Sequence, residues 1–158
     1  FMLDKMMAEI AITLKPMIKN SVAELHLEID DAISMTSYPG PLGQVLTNLI
    51  ANASVHAFNG RQKGLITVRA SQVDHDLLKL RVEDDGIGIP DELLPRIFDP
   101  FVTTKMGRGG TGLGLHIAHN ITTQVLGGSI TVSSQPGEGS CFELTLPLIA
   151  PVVRQSPE

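Results

Sequence analysis

Several kinds of residue are scarce in this chain, which has one cysteine, no tryptophan and 4% aromatic residues. The lone Cys141 excludes an internal disulfide and a cysteine-based zinc cluster, and it favours an intracellular protein. No apolar run approaches the roughly 20 residues of a membrane-spanning helix, and no signal peptide is evident. The 17 acidic residues outnumber the 12 basic ones, which argues against duplex DNA or an anionic membrane as a partner.

The chain has enough hydrophobic residues to form a core, since they make up 42% of its 158 residues. This length suits one domain of ordinary size. Apolar residues recur at helical spacing in three segments, which predicts helices over 2–20, 41–58 and 112–126. Pro16 predicts an interruption or a turn near the end of the first helix. A short helical stretch is expected near 92–98.

Alternating apolar and polar residues predict a set of short strands. These strands are expected over 23–29, 33–37, 65–71, 77–84, 129–134 and 141–146. Alternation means that one sheet face is buried and the other is wet, and each helix carries a single apolar stripe. We therefore expect an α+β fold, a two-layer sandwich in which helices pack on one face of a mixed, mostly antiparallel sheet.

An acidic residue continues the buried face of one predicted strand. Asp84 follows the alternation of Leu78, Leu80 and Val82, so its carboxylate points toward the core, which is costly unless it is hydrogen-bonded. The alternative is a strand that frays early and leaves Asp84 in water. The sequence that follows, with Gly86 and Gly88, lets backbone approach a ligand closely. This pattern favours a receptor for an amino group on a flat ring.

Three polar side chains form a row on the second predicted helix. Asn48, Asn52 and His56 recur every four residues and border the apolar stripe. The plain alternative is a set of polar boundary residues. Two asparagines lower helix propensity, however, which indicates another role. An amide oxygen is a suitable ligand for Mg²⁺, which usually takes one or two protein groups together with phosphates and water.

A glycine-rich stretch precedes the third helix. Backbone N–H groups in residues 107–115 and the helix N-terminus together can form an anion site. Such loops are often only flexible linkers, and this one is neither a Walker loop nor a convincing Rossmann fingerprint. Lys105 lies just before it and can meet a phosphate as a point charge, or it is a solvated loop lysine.

Taken together, these motifs resemble the catalytic and ATP-binding domain of bacterial sensor histidine kinases, in the superfamily shared with gyrase, heat-shock chaperones and mismatch-repair ATPases. The resemblance covers 1–147 as one domain and leaves 148–158 as a C-terminal tail. It lies in five boxes that follow in the expected order: 44–53, 84–88, 97–105, 110–115 and 137–142. It implies the Bergerat-type ATP-binding fold, with ATP and Mg²⁺ as cofactors.

The resemblance also implies a role for individual residues. Asp84 would accept the adenine amino group, with Ser140 helping through a water. Asn52 would ligate Mg²⁺, while Asn48 and Lys105 would assist at the phosphates as catalytic residues. Residues 102–113 would form a lid with glycine hinges. The nucleotide contacts implied in this way are Asn48, Asn52, His56, Asp84, Gly86, Gly88, Ile89, Phe101, Thr103, Thr104, Lys105, Gly110, Thr111, Gly112, Leu113, Gly114, Leu115 and Ser140.

Position 48 distinguishes kinases from their hydrolytic relatives in this superfamily. The relatives carry a water-activating Glu there, whereas Asn48 cannot act as a general base. The resemblance therefore implies that the γ-phosphate is transferred to a histidine on a separate helical dimerisation domain, and not to water. His75 is followed by an acid but lies in a predicted turn, so we expect no phosphoacceptor histidine in this chain.

The implied partners are that helical domain, as a homodimer in the full-length protein, and a response regulator, with no nucleic acid and no membrane contact by this domain. We expect a cytoplasmic location, with a parent protein that in many such kinases is membrane-anchored. Two other functions stay open. One is a hydrolytic ATPase that drives a clamp, and the other is a non-catalytic nucleotide-binding module.

Overall fold

The computed structural model describes residues 1–58, 63–102 and 113–152, apart from the side chain of His56. Three α-helices and five strands make up this part of the chain. The helices are α1 (Leu3–Lys19), α2 (Pro39–His56) and α3 (Gly114–Gln124), with a 3₁₀ turn at Leu94–Arg96. The strands are β1 (Ala23–Ile29), β2 (Gly64–Gln72), β3 (Leu77–Asp84), β4 (Ser129–Gln135) and β5 (Gly139–Pro147).

The five strands form one sheet in the order β1-β2-β3-β5-β4. The β1–β2 pair is parallel and the other three pairs are antiparallel. This confirms the mixed, mostly antiparallel sheet that the alternating pattern predicts. Within the described residues, no helix has both the length and the apolar character needed to span a membrane.

The two faces of the sheet differ as the alternation requires. One face packs against the helices and supplies much of the core, including Val68, Leu80 and Leu144. The other face is lined with ion pairs that run across strands, as where Arg69 on β2 lies between Glu28 on β1 and Glu83 on β3. Half-exposed pairs of this kind contribute little to stability, so burial on the helical face holds the layers together.

Helix α2 is the central packing element. Pro39 begins it, at a position where the missing N–H costs nothing. Val45, Leu46, Leu49 and Ile50 are fully buried along one stripe, as their spacing predicts. Asn48 and Asn52 are half-buried and follow the border of this stripe toward the end of the helix.

The structure corrects two local predictions. Helix α1 continues through Pro16 to Lys19 rather than being interrupted. The carbonyl that loses its partner to a proline here belongs to Ile12, whose side chain is 71% exposed, so water can satisfy it. The predicted strand at 33–37 is wrong: Ser34 bridges to Met2 and Thr36 bridges to Ile149. Pairing with two different segments in turn leaves no continuous ladder.

Residues 148–151 pack against the segment that precedes α2. Leu148 is buried, and its carbonyl accepts a hydrogen bond from the Thr36 N–H at 2.8 Å. The Tyr38 hydroxyl donates to the Pro151 carbonyl at 2.9 Å. These contacts join the end of the sheet to the start of α2.

Candidate functional site

Asp84 lies at the end of β3, on the sheet face that carries Leu80 and Val82. Strand pairing places it opposite Ser140 on β5. The Ser140 hydroxyl donates to Asp84 Oδ2 at 2.5 Å, and the Gly86 N–H donates to Oδ1 at 3.0 Å. Burial raises the pKa of the Asp84 carboxyl, and these two donors, together with the Ser140 backbone N–H, offset only part of that effect. The acid is thus held in a fixed direction while its charge is poorly solvated.

The turn after Asp84 brings this acid close to the end of α2. A Cβ added at Gly86 would lie 2.1 Å from the Ala57 carbonyl oxygen, and the Ile87 N–H donates to the same oxygen at 2.7 Å. No other residue type fits position 86 without moving backbone. The glycine therefore joins the end of β3 to the end of the helix that carries the asparagines.

The β4–β5 hairpin supports the same region from the other side. Gly139 has a φ of 105°, and a Cβ there would lie 2.0 Å from the Asp84 carbonyl oxygen. Ser134 Oγ accepts a hydrogen bond from the Ile89 N–H at 2.7 Å and donates to the Gly139 carbonyl at 3.0 Å. Its hydroxyl thus links the chain after Gly88 to the hairpin turn.

The two asparagines of α2 differ in their surroundings. Asn48 Oδ1 accepts a hydrogen bond from Gln44 Nε2 at 2.7 Å, and Asn48 Nδ2 donates to the Gly114 carbonyl at 3.1 Å. Asn52 is half-buried, and its side chain makes no hydrogen bond to any other residue that the structure describes. The amide of Asn48 is thus engaged at both ends by described residues, whereas the amide of Asn52 is not.

The remaining predicted site residues fall into two groups. In the described part, Leu113 and Gly114 lie at the start of α3, Leu115 is 6% exposed in the core, and the Phe101 side chain is 62% exposed with a φ of 68°. The predictions for Thr103, Thr104, Lys105, Gly110, Thr111, Gly112 and the side chain of His56 lie outside the described residues, as does most of the predicted lid.

The sequence-based reasoning missed two residues that support the site. Gln44 and Ser134 had no assigned role, although Gln44 lies one turn before Asn48, where a partner is expected. His116 Nδ1 lies 3.0 Å from the Phe98 carbonyl oxygen and Nε2 lies 3.2 Å from Asn120 Nδ2. Across the described residues, no cluster of metal-binding side chains occurs.

Comparison with known proteins identifies the family. The family model described as "Histidine kinase-, DNA gyrase B-, and HSP90-like ATPase" matches residues 38–150. The two-component sensor PprA of Pseudomonas aeruginosa is 43% identical over 113 residues, which are 70% of this chain and 12% of PprA. The sensor histidine kinase ZraS of Salmonella typhi is 47% identical over 112 residues, 71% of this chain and 23% of ZraS.

A solved structure agrees with these sequence matches. The catalytic domain of the histidine kinase ThkA superposes with a TM-score of 0.80 at 26% identity, and the match covers 93% of each chain. The chain spans less than a quarter of the length of either sensor protein. The chain belongs to the family of histidine kinase-, DNA gyrase B- and HSP90-like ATPases, and it has the fold of a histidine kinase catalytic domain.

Proposed function

We propose that this chain binds ATP together with Mg²⁺ and presents the γ-phosphate to a histidine on a separate helical domain of a two-component sensor kinase. The observation that carries the proposal is the environment of Asp84. Its carboxyl group is partly buried and lies beside glycine backbone. It is held by one hydroxyl and one backbone N–H. Such a group is suited to accept a hydrogen bond from an amino group on a purine.

The geometry leaves room for that hydrogen bond. An ionised carboxylate has about four lone-pair sites, and the Ser140 hydroxyl and the Gly86 N–H use two of them. The Ser140 N–H also interacts with this carboxyl, which still leaves one site for a ligand. The two protein donors hold both oxygens in place before a ligand arrives. Because burial weakens competition from water, a hydrogen bond from an exocyclic amine to Asp84 is stronger than it would be at the surface.

On the phosphate side, Asn52 fits a magnesium ligand because its amide has no partner among the described residues. Bound Mg²⁺ would neutralise charge on the phosphates. The start of α3 at Gly114 lies on this side, and the N-terminus of a helix favours an anion through its dipole and its first N–H groups. We propose that Lys105, Thr103, Thr104 and the glycines of 110–112 complete the phosphate contacts.

Transfer to a protein nucleophile, rather than hydrolysis, is supported by Asn48. An amide does not take a proton from water at neutral pH. Both ends of this amide are also engaged, one with Gln44 and the other with Gly114. Catalysis by this chain therefore consists of positioning and charge stabilisation. The proposed partners are a dimeric helical domain that carries the histidine and a response regulator, in the cytoplasm.

Calorimetry with ATP, in the presence and absence of Mg²⁺, tests this proposal together with a phosphate-release assay. We expect Mg²⁺-dependent binding and turnover far below the several per second typical of enzymes. Turnover of several per second by the chain alone would favour the hydrolytic clamp. Absence of Mg²⁺-dependent binding would favour a non-catalytic module.

A matched pair of variants tests the metal assignment. Asn52→Ala should remove the Mg²⁺ dependence of binding without unfolding the chain, because alanine has the higher helix propensity. Asn20→Ala, at the exposed end of α1, is the control and should leave that dependence unchanged. Equal Mg²⁺ dependence in both variants would overturn the role of Asn52.

A further inference from the structure

We infer that Gln44 is a positioning residue, which sets the direction of the Asn48 amide so that Asn48 ties the start of α3 to α2. The inference rests on the proposed function for its link to nucleotide binding. Its basis is a chain of two hydrogen bonds: Gln44 Nε2 to Asn48 Oδ1 at 2.7 Å and Asn48 Nδ2 to the Gly114 carbonyl at 3.1 Å.

Only one assignment of donors and acceptors is consistent with these two hydrogen bonds. A backbone carbonyl can only accept, so the Asn48 atom that faces Gly114 must be the NH₂ group. The Asn48 oxygen then faces Gln44, and Gln44 must present its own NH₂ group. Reversing either amide would bring two acceptors or two donors together. The Gly114 carbonyl therefore fixes the donor and the acceptor of both hydrogen bonds. This result does not depend on how the oxygen and nitrogen atoms of the two amides are initially assigned.

The position of Gly114 explains why this tether matters for the site. Gly114 is the first residue of α3 and lies within the glycine-rich box at 110–115. The α2 and α3 backbones approach closely here, since a Cβ added at Gly114 would lie 4.0 Å from Asn48 Cβ. Gln44 and Asn48 thus fix the first turn of α3 relative to Asn52, one turn further along α2. The two sides of the phosphate site are held at a set distance.

The two asparagines of α2 differ in their hydrogen bonds. Asn48 uses both ends of its amide to hold α3, whereas the amide of Asn52 makes no hydrogen bond to the described residues. A carboxylate at position 48 would set an acceptor against the Gly114 carbonyl. The arrangement in this chain therefore accommodates an amide, and not the water-activating acid of the hydrolytic relatives.

Three substitutions at position 44 separate hydrogen-bond direction from other effects. Gln44→Met removes the donor, Gln44→Glu supplies only acceptors, and Gln44→Lys supplies only donors. All three are good helix formers at an exposed position, so the fold is kept in each. Hydrogen exchange at the Ile117 amide, which donates to the Leu113 carbonyl in the first turn of α3, reports the tether without nucleotide.

We expect exchange at Ile117 to be about fivefold faster in the Met and Glu variants and close to wild type in the Lys variant. The side-chain NH₂ signals of Asn48 in nuclear magnetic resonance spectra should shift in the first two variants only. If the Glu variant matches the Lys variant, or if the Lys variant also loses protection, the positioning role is overturned.

Nucleotide binding is the second readout and uses the neutral Met variant, which adds no charge. We expect ATP to bind about fivefold more weakly than to the wild type. Unchanged affinity together with faster exchange at Ile117 would overturn the link between the tether and the site. If the wild type binds no ATP while the exchange pattern holds, the proposed function fails and the tether stands.

Discussion

Replacing Asp84 by asparagine separates recognition of the base from stability of the fold. Asparagine has nearly the same shape, and its oxygen can accept from the Gly86 N–H as Asp84 Oδ1 does at 3.0 Å. Its NH₂ group then faces Ser140, whose hydroxyl rotates to accept. The free protein therefore accommodates Asp84→Asn, but it presents a donor where the amino group of a purine needs an acceptor.

The expected loss of affinity follows from the bond that is removed. A hydrogen bond to a charged group contributes about 1.5–3 kcal/mol. Since about 1.4 kcal/mol is tenfold in affinity, Asp84→Asn should weaken ATP binding about 10- to 150-fold. Isothermal titration calorimetry at neutral pH measures this directly.

The same substitution should not destabilise the fold. Burial raises the pKa of Asp84 above its ordinary value, so the folded state holds a proton more tightly than the unfolded state does. The ionised acid therefore lowers the stability at any pH above that raised pKa, and the contribution disappears as the pH falls below the unfolded value. Asparagine carries no charge, so at pH 7 Asp84→Asn should unfold at the same or a higher temperature.

The adjacent acid provides the control. Asp85 is exposed and accepts a hydrogen bond from the Leu65 N–H at 2.8 Å, which asparagine can also accept. Asp85→Asn should therefore leave both ATP affinity and unfolding temperature near wild type. The reasoning is refuted if Asp84→Asn binds ATP within about twofold of wild type, or if its affinity falls only because the protein unfolds.

Three further outcomes are expected. Calorimetry from pH 7 downward measures the ratio of wild-type to Asp84→Asn affinity for ATP. This ratio should fall toward one as Asp84 takes up a proton, with a midpoint above the ordinary aspartate pKa of about 3.9. A ratio that does not change with pH would contradict the role of the charge. Gly86→Ala should lower the free energy of unfolding, measured by chemical denaturation, by about 1–3 kcal/mol because its Cβ meets the Ala57 carbonyl. Gly40 has open space around it, so the control Gly40→Ala should be neutral or slightly stabilising in the same measurement. Asn48→Glu should lower the free energy of unfolding by about 1–3 kcal/mol and create no ATP turnover in a phosphate-release assay; turnover of several per second would show that an acid is accommodated there.

Much of the fold is visible in the sequence because the sheet has one wet face. Apolar and polar residues alternate in the sequences of β2 and β3, so their positions, their main buried face and the inward direction of Asp84 follow from the pattern, although Thr67 on the other face of β2 is also buried. Helix α2 is equally clear, because its apolar stripe is continuous. Periodicity predicts an element well where a single packing surface runs along its whole length.

The predictions from sequence fail where contacts between distant segments determine the local structure. The strand predicted at 33–37 fails because its pairing partners change after one residue, and no local pattern reports a distant partner. The tether from Gln44 through Asn48 to Gly114 joins residues 66 apart in its second hydrogen bond. The spacing of Gln44 and Asn48 is visible in the sequence, but their common acceptor depends on how α3 packs against α2.

The pairing of β3 with β5 also constrains how this chain can change over evolutionary time. Asp84 lies opposite Ser140 only in one alignment of the hairpin. A slip of one residue would bring Cys141 or Gly139 to that place and would turn Phe142 out of the interior. Insertions that shift β5 would therefore be costly in two ways, because they would disrupt the core and would separate Asp84 from the Ser140 hydroxyl that holds it.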